Sequence, residues 1–173
     1  MGFKLEIRKL WADISAILKN KKQRIWICGH SLGGAMATLC ASRLEELEPT
    51  LYTYGSPRVG GREWRDGCDV EHYRFVNNND IVTAVPLWLM GYRHHGTVRY
   101  IDYYGRIKRM TFGQKVKDQL LGRWKALTKF QLFDGIYDHD IAGGYADKLQ
   151  ALWFEGREKI RKRANVGHDR KNV

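Results

Sequence analysis

The chain has 173 residues, 43% of them apolar and 12% aromatic, with only three prolines. That composition excludes a disordered or low-complexity protein and suits one domain with one sizeable core. The net charge of +11 excludes indifference to anions and predicts attraction to lipid headgroups, nucleic acid or an acidic partner.

In chain order, Phe3, Ile7, Leu10, Trp11, Ile14 and Ile17/Leu18 recur at helical spacing, so residues 4–20 read as an amphipathic helix. Arg24 to Cys28 reads as a central parallel strand, apolar on both faces. Leu32 to Glu48 reads as a helix ended by Pro49, and Leu51 to Tyr54 as a short strand. Gly55 to Gly61 is a loop, Trp64 lies in a short helical or irregular segment, and His72 to Val76 is another strand. Residues 81–97 read as loop. Val98 to Tyr103 and Arg106 to Met110 suit a hairpin around Tyr104-Gly105. Phe112, Val116, Leu120, Trp124 and Leu127 mark a further helical face, and Ile141 to Phe154 the last helix. The alternation predicts an α/β fold, a mostly parallel sheet flanked by helices.

No apolar run reaches the length of a membrane span, and no signal peptide stands at Met1. Cys28, Cys40 and Cys68 are odd in number and lack metal-type spacing. They argue against a disulfide framework and a metal site, fit a reducing compartment, and make Cys28 and Cys40 small buried hydrophobes. No cofactor is expected.

The chemistry is carried by Ile25-Trp26-Ile27-Cys28-Gly29-His30-Ser31-Leu32-Gly33-Gly34-Ala35. An apolar strand, a Gly-x-Ser-x-Gly turn and an alanine-rich helix make a nucleophile elbow, in which Gly29 and Gly33 avoid collision across a tight turn. A serine hydroxyl needs a base, and the base needs a partner that fixes its tautomer. In this fold the order is serine, acid, histidine. Asp80, at the end of the strand from Tyr73, is the acid by position, with Asp66, Asp69 and Asp102 as competitors. Its other reading is an Asx turn closing the strand. His139, directly before the last helix, is the preferred base over His94, His95 and His168. The backbone N–H of Leu32 is one oxyanion donor, helped by the helix N-terminus.

Four pieces in this order resemble the class 3 lipases, the fungal triacylglycerol-lipase-like α/β hydrolases. They are Gly29 to Ala35, Thr53-Tyr54-Gly55-Ser56-Pro57-Arg58-Val59-Gly60, Tyr73 to Val82 followed by Pro86, and Asp138-His139. The resemblance implies a Ser31–Asp80–His139 triad, hydrolysis of carboxylic esters of lipids, and a structural role for Pro57 to Gly60. It covers about residues 5–154 and corresponds to the C-terminal two-thirds of such a domain. Two departures stand out. The family usually has a serine after the histidine and a single glycine before the tyrosine, against Asp140 and Gly143-Gly144-Tyr145 here. The early strands, with the loop that brings the second oxyanion donor, have no counterpart before residue 24.

The expected organisation is one partial α/β-hydrolase domain over 1–160. It carries a basic insertion at about 103–137 and a basic, frayed tail over 161–173. The missing strands predict an exposed edge on the elbow strand, open to self-association or a partner strand. They also predict low activity, since one oxyanion donor is worth about a hundred- to a thousandfold in rate. The basic segment 106–129 suits peripheral contact with anionic membrane, or equally a solvated face over a packed apolar stripe. A catalytically impaired interaction module is the main alternative. Nucleic-acid binding rests on charge alone, without a motif.

Overall fold

The computed structural model describes residues 2–18, 23–78, 80–102, 104–108 and 139–169; within these, side chains are described over 7–107 and 139–158. Four parallel strands lie side by side in chain order: β1 (Trp26–His30), β2 (Thr50–Tyr54), β3 (Glu71–Asn77) and β4 (Thr97–Ile101). The two-residue β5 (Ile107–Lys108) adds antiparallel to β4, so the predicted hairpin forms at Tyr104-Gly105. The helices are α1 (Gly2–Leu18), α2 (Ser31–Arg43), the short α3 (Arg62–Asp66) and α4 (Asp147–Asp169).

The core follows from the amphipathic reading. Ile7, Trp11, Ile14 and Leu18 of α1 pack on Leu39, Cys40 and Leu44 of α2, while Leu10 and Ile17 of the expected stripe stay exposed. Ala37 and Ala41 bring the other side of α2 down onto Leu51, Val70, Ile27 and Cys68. Small residues at these positions let helix and sheet backbones approach closely, and burial supplies the drive.

The sheet has two unlike faces, because successive side chains alternate. The register Gly29–Thr53–Arg74 puts these residues on the α2 side with Ile27, Leu51 and His72. The other side is aromatic. Tyr52 stacks on Tyr73 and Tyr54 on Phe75, directly across the β2–β3 register.

Several expectations change. β1 forms one edge of the described sheet, as the missing early strands predict, but it is not a central strand with two apolar faces. Ile27 packs toward the helices, whereas Trp26 is 71% exposed and Cys28 is also exposed, so only Cys40 is a buried thiol. The helix expected to run to Glu48 ends at Arg43; a single 3-10 turn, Glu45–Leu47, and a left-handed Glu48 (φ 47°) carry the chain to Pro49. The tail expected to fray beyond residue 160 is helical to Asp169. The helix expected around 113–127, and all but the start of the basic segment 106–129, lie outside the described residues.

Candidate active site

The residues singled out in the sequence are carried by the carboxyl ends of the strands and the segment before α4, where parallel α/β sheets bind ligands. β1 ends at His30, and Ser31 opens α2 with a left-handed backbone, φ 54°. A non-glycine residue in this region is strained, and here the strain turns the hydroxyl out of the sheet. Gly29 is obligatory. A Cβ there would fall on the Gly33 carbonyl oxygen, 2.6 Å from its carbon and 2.8 Å from Gly34 N. At Gly33 a Cβ would meet nothing within 4 Å, so crowding does not explain that glycine. The second tight approach is at Gly34, where a Cβ would lie 2.8 Å from Ser56 Cβ.

His139 bridges Ser31 and Asp80. Its Nδ1 is 3.0 Å from both carboxylate oxygens of Asp80, and its Nε2 is 2.8 Å from Ser31 Oγ. A carboxylate only accepts, so Nδ1–H donates to Asp80 and Nε2 accepts from the Ser31 hydroxyl. Asp80 is buried, and Val82 N–H also donates to its Oδ1 at 2.9 Å. Asp80 therefore closes an Asx turn with one oxygen and faces the His139 ring with both. Leu32 is the second residue of α2, next to the Ser31 hydroxyl, with its side chain 51% exposed.

The competing residues go elsewhere. Asp66 pairs with Arg65 at 2.6 Å, and Asp102 closes the β4–β5 turn through Tyr104 N, Arg106 N and the Arg106 guanidinium. His94 Nε2–H donates to Thr83 O at 2.8 Å, and His95 stacks on His72. The side chains of Asp138 and His168 lie outside the described residues.

Three residues that sequence reasoning missed hold this line together. Tyr145 Oη donates to Asp80 Oδ2 at 2.5 Å and accepts from Asn77 N–H at 3.0 Å. Asn77 Nδ2 in turn donates to Gly144 O, tying the strand end to the turn before α4. His30 Nε2–H donates to the His139 carbonyl at 2.7 Å, with the two rings 4.8 Å apart. Gly55 (φ 59°) leaves the space beneath: a Cβ there would lie 2.7 Å from Asp80 Oδ2 and 3.0 Å from His139 Nδ1. The doubled glycine before Tyr145 is taken up by a π-helical turn, Ile141–Ala146. Its opening is capped by Asp140, whose carboxylate accepts from Gly143 N. A π turn holds one more residue than an α turn, which brings Tyr145 round to Asp80. Removing the hydroxyl in Tyr145→Phe leaves Asn77 N–H without this acceptor. We expect a loss of about 2 kcal/mol in stability and a fall in kcat with little change in KM, read from urea melts and ester kinetics.

A second polar cluster lies on the α2 side of the sheet. His72 Nε2 meets Thr53 Oγ1 at 2.8 Å and His72 Nδ1 meets His95 Nδ1 at 3.3 Å. Arg74 is buried among Thr38, Ser56, Trp64, His72 and His94, and its Nε has no hydrogen-bond partner among the described residues. No carboxylate lines this space among the described residues. Burial, with Arg74 beside them, pushes His72 and His94 down to about 3, and burial lowers Arg74 to about 10. Arg58 shapes the neighbouring loop: its N–H donates to Val85 O, and its guanidinium to Ala84 O and Pro86 O.

This fold is that of a lipase-like α/β hydrolase. The family model described as Lipase (class 3) matches residues 4–90, and the chain belongs to that family. The chain is 42% identical over 76 residues to the toxin TseL of Vibrio cholerae, across 40% of this chain and 12% of the toxin. It is 33% identical over 106 residues to the secreted mono- and diacylglycerol lipase 1 of Fusarium solani, across 53% of this chain and 32% of the lipase. Among solved structures it superposes with TM-score 0.52 and 30% identity on a triacylglycerol lipase described as having a serine protease triad at its catalytic centre. That match covers 58% of this chain and 43% of the lipase chain. The chain thus spans about a third or less of the curated relatives it matches.

Proposed function

We propose that this chain is the catalytic portion of a serine carboxylic-ester hydrolase acting on lipid esters. The observation that carries the reading is the hydrogen-bonded line Ser31–His139–Asp80 at 2.8 and 3.0 Å, with Ser31 strained at a helix N-terminus. In the proposed reaction Ser31 Oγ attacks the ester carbonyl while His139 Nε2 takes its proton. The tetrahedral oxyanion accepts from Leu32 N–H, aided by the positive end of α2. The C–O bond to the alcohol then breaks, His139 returns the proton to the leaving oxygen, and an acyl-enzyme remains on Ser31. Water, deprotonated by the same imidazole, releases the carboxylic acid. Asp80 holds the tautomer with Nδ1 protonated and stabilises the imidazolium.

The apolar surroundings support a lipid ester. Leu32 follows Ser31, Ile81 follows Asp80, and Ile141 lies two residues past His139; all three side chains are exposed. The names of the relatives support acylglycerols as the first substrates to try. The single domain over 1–160 and strand pairing at the open edge of β1 belong to the same proposal.

A fluorophosphonate probe tests the reading, because it modifies only a serine activated by its base. Stoichiometric labelling that maps to Ser31, lost when the protein is first denatured, is the expected result. A folded chain that stays unlabelled would instead be an interaction module built on a lipase frame.

A further inference from the structure

Seven to ten residues past Asp80 the chain does something the ester chemistry does not require. Leu87, Trp88, Leu89 and Met90 are 52%, 59%, 73% and 66% exposed, four consecutive bulky apolar side chains in the turn between β3 and β4. Scattered exposed apolar residues are ordinary in a soluble domain; a contiguous run of this kind marks an interaction surface.

The turn is held outward. Met90 N–H donates to Leu87 O and Gly91 N–H to Trp88 O, while Arg93 Nη1 donates to Trp88 O at 2.7 Å and to Tyr92 O at 2.9 Å. At its base, Arg58 Nη1 donates to Pro86 O at 2.8 Å, and Arg93 N–H donates to Gly60 O at 2.7 Å. These carbonyls and amides find partners inside the protein, as a segment entering an apolar medium requires.

The side chains at the base of the turn are cationic, although Glu63 and Asp66 balance the arginines of α3 nearby. Arg58 and Arg93 underlie the turn, and the exposed Arg62 opens α3 next to Gly61, whose Cβ position is 3.9 Å from Gly91 O. The whole chain carries +11. An apolar tip bearing a tryptophan, set over arginines on a basic protein, complements an anionic bilayer; a second copy of this chain would bring like charge against like.

We propose that Leu87–Met90 is a membrane-docking tip that seats in the headgroup–acyl boundary of an anionic lipid bilayer. The tip deepens the ester-hydrolase reading by naming the surface on which that site works, but its binding does not depend on catalysis. The test is therefore run on the full chain carrying Ser31→Ala. Flotation is measured with vesicles of phosphatidylcholine alone and of phosphatidylcholine with phosphatidylserine, before and after Leu89→Asp and Trp88→Ser.

The parent chain should float with both, more strongly with phosphatidylserine. Each tip substitution should weaken partitioning by about tenfold or more. Circular dichroism, together with hydrolysis of a soluble short-chain ester by the same substitutions on the Ser31 chain, should stay at the parent level. Equal flotation of parent and tip variants overturns the proposal and assigns binding to basic residues elsewhere. A parent that floats with neither vesicle overturns it too. So does a dimer in sedimentation that both tip substitutions dissociate, which makes the tip a protein interface. Absent ester hydrolysis with intact, tip-dependent flotation overturns the enzymatic reading alone.

Discussion

Ser31→Ala is expected to lower kcat for ester hydrolysis by about 10⁴- to 10⁶-fold, with KM nearly unchanged and the fold intact. Ser31 contributes a hydroxyl to the His139 bond and little packing, so its loss removes the covalent step without opening a cavity. Asp80→Asn should cost about 10⁴-fold. The amide can donate to Nδ1 and so favours the tautomer whose Nε2 carries the proton, which leaves Ser31 Oγ facing a donor. Combining the two substitutions should cost little more than Ser31→Ala alone, because residues that act as a unit are not additive. The measurement is initial rates on p-nitrophenyl esters with each purified variant. Wild-type and Ser31→Ala rates that coincide would sink the assignment of Ser31 as nucleophile.

The second large effect is on stability in acid. His72 and His94 are held near 3 in the folded chain by burial and the neighbouring Arg74, against an ordinary 6.5 when unfolded. Between those values the unfolded chain binds protons that the folded chain refuses. Their contribution to stability is therefore complete above about pH 6.5 and is lost as pH falls toward 3. Each group contributes about 1.4 kcal/mol per pH unit in that window. The two together should lower the unfolding free energy by about 4 kcal/mol between neutral pH and about pH 5. Urea melts at the two pH values read this directly. Burial comes first and the Arg74 charge second in holding His72 and His94 neutral, and the size of the shift sets how wide the pH window is. A urea midpoint that does not move over that range excludes neutral, buried imidazoles at these positions.

What could be read in the sequence was what is local. The elbow is a run of adjacent residues, and its strand, turn and helix follow from apolar run, glycine and alanine content. β2 and β3 lie within a residue or so of their expected spans because alternation and turn residues mark them. Asp80 stood out because it closes β3, and His139 because it precedes the last helix. What escaped depends on contacts across the sheet. Tyr145 looks like any helix tyrosine until the π turn swings it under Asp80. His30 was only the variable residue of a motif, and its bond to His139 spans 109 positions. Gly55 passed as a loop glycine because its neighbours are Asp80 and His139, not Tyr54 and Ser56. Cys28 was expected to be buried because an apolar run says nothing of how many strands lie beside it.

The chain order of the strands carries one more implication, for assembly. β1, β2, β3 and β4 pair each with the next, so the sheet closes through short, successive crossovers that carry Ser31 and Asp80 into place. His139 is 108 residues from Ser31 and 59 from Asp80. Such a contact carries the largest loop-closure cost in the site and gains nothing until the sheet exists. The imidazole therefore joins a nearly finished frame. In the proposed mechanism, nucleophilic reactivity at Ser31 would report the docking of the C-terminal segment, not the folding of the sheet that bears the serine.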